Sequence, residues 1–135
     1  MNLIRKTYDT TEVQITSFQS SKGITEYHIF FQQTNCLEDF HTQLQHIQDV
    51  YAHSVEELPG NPVAIFRRYF LSDVTNQTDE LMERERLSPY CALSIVQQAP
   101  MNGTKIALWA WLRTGVQTQV LPNGLFEARH GAYGQ

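Results

Sequence analysis

Apolar positions alternate along Glu12 to Gln19, with Val13, Ile15 and Ser17 on one face, and again through TEYHIFFQQ at Thr25 to Gln33. That period of two, in segments rich in aromatic and β-branched residues, predicts two strands. Ser20, Ser21, Lys22 and Gly23 supply turn chemistry between them, so they form a hairpin. The period then lengthens. Leu37, Phe40, Leu44, Ile47, Val50 and Tyr51 recur at helical spacing, with Glu38, Gln43, Gln45 and Asp49 falling elsewhere. Asn35 stands three residues before Glu38 in a capping-box arrangement, which predicts a helix from Leu37 to about Val55.

Pro59-Gly60-Asn61-Pro62 interrupts that pattern, and a strand is expected from Val63 to Leu71, ending at Ser72-Asp73. A second, more polar helix begins at Thr75 or Asn76, turns Leu81, Met82 and Leu87 inward, and stops at Ser88-Pro89. A strand from Cys91 to Gln98 follows, with Ala92, Ser94 and Val96 on one side and Leu93, Ile95 and Gln97 on the other. After the Pro100, Asn102, Gly103 turn, Thr104 to Leu112 is expected to return as its antiparallel partner. Residues 115–135 form a tail with one strand, Val116 to Leu121, and a Pro122-Asn123-Gly124 turn. The order ββαβαββ predicts an α+β fold in a single domain, 1–135, with a mixed sheet and both helices on one face.

The last core strand, TKIALWAWL, breaks the usual rule of one wet face. Ile106, Leu108, Ala110 and Leu112 point one way, and Ala107, Trp109 and Trp111 the other. Two helices on one side of a sheet cover only the first set. Exposing two indoles would forgo several kcal/mol, at about 25 cal/mol per Å² over roughly 150–250 Å² each. The expected cover is further copies of the same sheet, in an obligate homo-oligomer; the alternative is that the C-terminal tail folds back over the tryptophans.

Composition narrows the partners. In 135 residues, 41% hydrophobic and 11% aromatic content indicates a folded globule. A net charge of -4 with ten scattered Lys and Arg argues against a phosphate-tracking surface, so no nucleic-acid partner is expected. No apolar run approaches a membrane span and the N-terminus lacks signal-peptide layout, which predicts no membrane partner and a cytoplasmic location. Cys36 and Cys91 are far apart and outside any CxxC pattern, giving neither a disulfide framework nor a zinc site. His41, His46 and His53 on the first helix lack an acidic third ligand; they are expected to face solvent, with no metal and no cofactor.

The segment FRRYFLSD resembles the strand ending V-F-L-x-D of the YjgF/RidA family, also called the L-PSP endoribonuclease family. Asn76 to Leu87, SPYCALSIV and TKIALWAWL are similar to the helix and strands that follow in that family, so the resemblance covers roughly Leu37 to Leu112. It implies a chorismate-mutase-like (YjgF-type) fold, a homotrimer whose sheets line an inner barrel, and small-molecule clefts between subunits. The resemblance also implies what is missing. Members that hydrolyse enamines and imines use an arginine at the start of the penultimate strand; here that position is Tyr90, or Cys91 with a one-residue shift. A glutamate on the last core strand corresponds to Leu108 or Trp109, and the family's N-terminal loop is echoed only by Ser17-Phe18-Gln19-Ser20. Enamine deamination is therefore not expected, and no ribonuclease motif is present.

The candidate ligand-binding residues are Arg67, Arg68, Tyr90, Cys91 and Trp109. Arg67 and Arg68 are neighbours on a strand and must point to opposite faces, so one faces either the helices or a subunit interface; the reading is a structural ion pair with a helix acid or, alternatively, a replacement anchor for a carboxylate ligand. Cys91 has no adjacent histidine and reads as a buried thiol. Arg129-His130-Gly131 is either a disordered tail or an arm reaching a neighbouring cleft. The chain also resembles the amino-terminal half of longer tandem-domain proteins such as chorismate-hydrolysing relatives, in which case the tail is an interrupted connection. Three functions follow: a trimeric metabolite-binding protein without the deaminase residues, an enzyme of the same fold acting on a carboxylated or cyclic substrate, or a domain that oligomerises a larger assembly.

Overall fold

A computed structural model describes residues 2–20, 22–87, 91–115, 117–120 and 126–129. The elements in chain order are β1 (Asn2–Tyr8), β2 (Thr11–Gln19), β3 (Thr25–Gln33), α1 (Phe40–Glu57), β4 (Val63–Leu71), α2 (Val74–Glu85), β5 (Ala92–Gln97), β6 (Ile106–Arg113), β7 (Gln117–Val120) and β8 (Phe126–Arg129). Six strands form one mixed sheet in the order β1-β2-β3-β6-β4-β5, and β7 pairs with β8 in a separate two-stranded sheet. The architecture is α+β, compatible with the expected ββαβαββ core.

The expected hairpin of the fifth and sixth strands is not formed. β5 pairs in parallel with β4, and β6 lies between β3 and β4, antiparallel to both. The helix between β4 and β5 brings the chain back in the same direction, which parallel neighbours require. β6, apolar on both faces, takes an inner position with strands on each side. The connecting loop is tied across the end of β4, where Gln98 N–H donates to the Leu71 carbonyl and Ser72 N–H to the Lys105 carbonyl, both at 3.0 Å.

β1 was not expected from the apolar pattern. It is an edge strand whose residues are exposed on both faces apart from Tyr8, so burial imposes no alternation on NLIRKTY. Its turn into β2 places Asp9 at φ 52, a left-handed conformation that aspartate tolerates. A second strand in the tail, β8, was also not foreseen; it includes the backbone of Arg129. The turn at Pro122 to Gly124 and His130-Gly131 lie outside the described residues.

Helix starts shift for a clear reason. Asp39, not Asn35, caps α1, accepting from Thr42 N–H at 2.8 Å, while Asn35 closes a tight turn by accepting from Leu37 N–H at 3.0 Å. Leu37 therefore precedes the helix and is 91% exposed rather than inward. α2 is capped by Asp73, which accepts from Asn76 N–H. Its inward position is Leu81, fully buried; Met82 and Leu87 are 40% and 88% exposed, so the inward stripe is narrower than the spacing suggested.

Both helices cover the same face. Leu44 and Ile47 of α1 and Leu81 of α2 join Val13, Ile15, Tyr27, Ile29, Phe31, Tyr69, Leu71, Ile106, Leu108, Ala110 and Leu112 in one core. Each such aliphatic side chain contributes about 1.5–3 kcal/mol by leaving water. Among the described residues no helix is long and apolar enough to cross a membrane.

Candidate functional site

Strand alternation sends the other half of the sheet's side chains to the face opposite the helices. Register aligns them in rows: Phe30, Trp109, Arg68 and Ser94 in one, His28, Trp111, Phe66 and Ala92 in the next, and Gln32, Ala107, Phe70 and Val96 on the far side. The His28 ring stacks on Trp109 at 5.7 Å and 29°, and on Trp111 at 6.0 Å and 14°. Phe66 meets Trp109 edge-on at 5.6 Å, Phe30 meets Phe70 at 6.3 Å, and Phe18 meets His28 at 5.6 Å. Glu26 anchors one border, accepting from Trp111 Nε1 at 3.0 Å and lying 3.8 Å from His28 Nε2. Trp109 and Trp111 remain only half-buried, wedged by in-plane neighbours.

Arg68 stands in this aromatic field. Its guanidinium lies 5.2 Å from the centre of the Phe66 ring, and its Nε reaches Ser94 Oγ at a long 3.4 Å. Among the described residues it has no carboxylate within ion-pair distance.

Arg67 occupies the opposite face, where it is buried and held by partners on the helices. Its Nη2 donates to Glu85 Oε2 at 2.7 Å and its Nη1 to Tyr51 Oη at 3.0 Å, and it packs 5.2 Å from the Tyr51 ring centre. Arg67 and Glu85 side chains are 4% and 7% exposed. Burial acts against the Arg67 charge, but Tyr51, Cys91 and Glu85 outweigh it and hold the group above its ordinary value. Burial, with Glu85 adding to it, pushes the Tyr69 hydroxyl well up, and burial likewise raises Tyr51.

Cys91 lies beside that cluster and is itself only partly buried. Burial pushes its thiol up to about 11, with Arg67 pulling the other way, so it stays a protonated thiol at neutral pH. Tyr90 lies outside the described residues. Of the candidate residues, then, the structure brings Arg68 and Trp109 together on the open face and Arg67 with Cys91 beneath the helices.

Leu108 and Trp109, the two positions that the resemblance set against a glutamate, diverge: Leu108 is fully buried under the helices, and Trp109 is on the open face. The helix histidines pair with carboxylates, His41 with Glu80, His46 with Glu38 at 3.4 Å, and His53 with Glu57 at 3.4 Å. No group of three or more metal-ligating side chains forms among the described residues. A separate cleft of about 560 Å³, lined by Ile4, Ile15, Tyr27, Leu58, Pro59 and Thr114 among others, has no charged residue in its walls among the described residues.

Sequence reasoning missed Glu26, His28 and Phe66 as members of the open face. The signal was present: in TEYHIFFQQ these two polar positions alternate with Tyr27, Ile29 and Phe31, and only the register with β6 shows that they meet the tryptophans. No protein-family model matches the sequence, and no curated protein matches it.

Proposed function

We propose that the chain is a divergent YjgF/RidA-like protein of the cytoplasm that assembles as a homotrimer and binds a small metabolite in clefts between its subunits, without deaminating enamines or imines. The observation that carries this reading is the open aromatic sheet face, where Trp109, Trp111, Phe66, Phe30 and Phe70 lie without helix cover around Arg68, which has no carboxylate partner among the described residues. A surface of this kind loses free energy in water and gains it against copies of itself. The absence of deamination follows from the matching positions: neither the Cys91 thiol nor Leu108 or Trp109 offers a fork for a substrate carboxylate or a base for water.

Sedimentation velocity at neutral pH is expected to give a trimer, and a thermal-shift screen of small metabolites to yield at least one stabilising ligand. A monomer at micromolar concentration refutes the assembly. Turnover of amino-acid-derived imines refutes the non-deaminase reading. One observation favours a second reading, an enzyme of the same fold with altered chemistry on a carboxylated or cyclic substrate. His28, with Glu26 at 3.8 Å, places an acid–base group on the face that holds Arg68. Hydrolysis of a cyclic carboxylate that is lost in His28→Gln supports that reading; inertness of the wild type toward such compounds removes it.

A further inference from the structure

The turn between β5 and β6 carries an asparagine followed by a glycine, Asn102-Gly103, at the surface. That dipeptide is chemically labile, because glycine has no side chain to keep its backbone nitrogen away from the asparagine carboxamide. Here both reacting groups are already engaged. Asn102 Oδ1 accepts from Thr104 N–H at 3.2 Å and from Thr104 Oγ1 at 2.6 Å, and Asn102 Nδ2 donates to the Gln33 carbonyl at 2.7 Å. These partners fix which end of the amide is which, since a backbone N–H only donates and a carbonyl only accepts. The attacking nitrogen is held too: Gly103 N–H donates to the Pro100 carbonyl at 3.2 Å. We propose that Asn102-Gly103 is a deamidation site locked by its own turn, and that its reaction, once the turn opens, prevents the turn from closing again.

In the reaction the deprotonated Gly103 nitrogen forms a bond to Asn102 Cγ, the Cγ–Nδ2 bond breaks and ammonia leaves, giving a cyclic imide. Water then opens the imide at either carbonyl and leaves aspartate or its β-linked isomer; nothing is oxidised or reduced. While the turn is closed, the Gly103 proton is held by Pro100, and the carboxamide cannot rotate without breaking its bonds to Thr104 and Gln33. After the reaction the clasp cannot re-form. Thr104 can still donate to a carboxylate, but the Gln33 carbonyl then faces an oxygen in place of an N–H. Gln33 is fully buried and lies just past the end of the β3–β6 ladder at Gln32 and Ala107, so the Asn102 amide extends that pairing into the loop. A buried carbonyl that loses its donor keeps its desolvation penalty, which exceeds the net worth of an ordinary hydrogen bond. The β-linked isomer also lengthens the main chain of the turn by a carbon.

The chain has a second Asn-Gly pair, Asn123-Gly124, outside the described residues, so peptide mapping assigns each event where total mass alone would not. The purified chain is incubated at pH 8, native and in denaturing urea, and conversion at Asn102 is followed by mass spectrometry of its peptide. Native conversion is expected to be at least about tenfold slower than in urea, as for a turn open about a tenth of the time or less. Thr104→Val, which keeps the shape and removes one donor to Oδ1, should speed native conversion about two- to tenfold and leave the rate in urea unchanged. Asn102→Asp reproduces the product with an unaltered main chain; in it, hydrogen exchange at Gly103 and Thr104, corrected for intrinsic rates, is expected to quicken at least about threefold. Circular dichroism verifies that both variants fold, and the wild-type ratio decides alone should either fail to. Equal native and denatured rates at Asn102, or a folded Thr104→Val that converts no faster than wild type, overturn the lock. Unchanged exchange in Asn102→Asp overturns the one-way step.

Discussion

Replacing Glu85 by alanine tests the division of labour between the two sheet faces. The substitution removes a carboxylate 2.7 Å from Arg67 Nη2, in a site where both side chains are more than nine-tenths buried. A surface pair would be worth about 0–1 kcal/mol, but here the remaining guanidinium is left desolvated. It cannot escape by losing its proton, because a guanidinium stays charged in a protein. Tyr51 stays as a partner, yet Tyr69 also loses its hydrogen bond to Glu85. Stranding one partner of a buried pair costs about 3–5 kcal/mol, a large share of a typical stability of about 5–15 kcal/mol. In urea, with a slope of about 1–3 kcal/mol per molar, the midpoint is expected to fall by about 2 M, measured at one protein concentration. The double variant Arg67→Met, Glu85→Leu removes both charges and is expected to recover most of the loss. A Glu85→Ala variant within about 1 kcal/mol of wild type would refute the claim that the pair is dry.

Three further outcomes are expected. A thiol reagent at pH 7.5 should modify exposed Cys36 faster than partly buried Cys91, whose thiol is pushed up to about 11; equal rates at the two thiols contradict that difference in setting. Asp39 is held below the ordinary aspartate value by hydrogen bonds from the Thr42 side chain and backbone, so its contribution is present at neutral pH and lost as pH falls below about 3.9 through its lowered value. Asp39→Asn should therefore flatten the loss of urea stability as pH falls below about 3.9, and an unchanged acid slope there refutes the cap's role. Gly60 has φ +86, and a Cβ added there would sit 2.8 Å from Thr114 Cγ2. Gly60→Ala is expected to cost about 1–3 kcal/mol by thermal or urea unfolding, and a neutral result refutes the strain.

Much of the fold was legible because it rests on periodicity. Val63–Leu71 and Thr25–Gln33 have the bounds that alternation predicted, and the opposite orientation of Arg67 and Arg68 follows from the pleat alone. The neighbour of β6 was not legible. A loop with turn chemistry between two apolar strands favours a hairpin locally, and only the crossover through α2 and the apolar character of both β6 faces put that strand between β3 and β4. β1 escaped notice because an edge strand exposed on both faces has no burial to pattern it. Of the candidate site, Arg68 and Trp109 could be named from the sequence, but their pairing across a ladder depends on that unforeseen strand order.

The same strand order separates stability from binding at the level of single residues. Along β4, Arg67, Tyr69 and Leu71 enter the buried side while Phe66, Arg68 and Phe70 enter the open side; along β6, Leu108 and Ala110 alternate with Trp109 and Trp111. Because β4 and β6 are ladder partners, each row crossing them is uniform in its destination. A row such as Tyr69 and Leu108 answers to helix packing, and the next, Arg68 and Trp109, answers to whatever lies over the sheet. The helix side has already matched its one buried cation with an acid from α2. The open side carries aromatic area and, in Arg68, a cation with no carboxylate partner among the described residues. That asymmetry, between adjacent residues on one strand, is why the open face rather than the buried cluster is where function is sought.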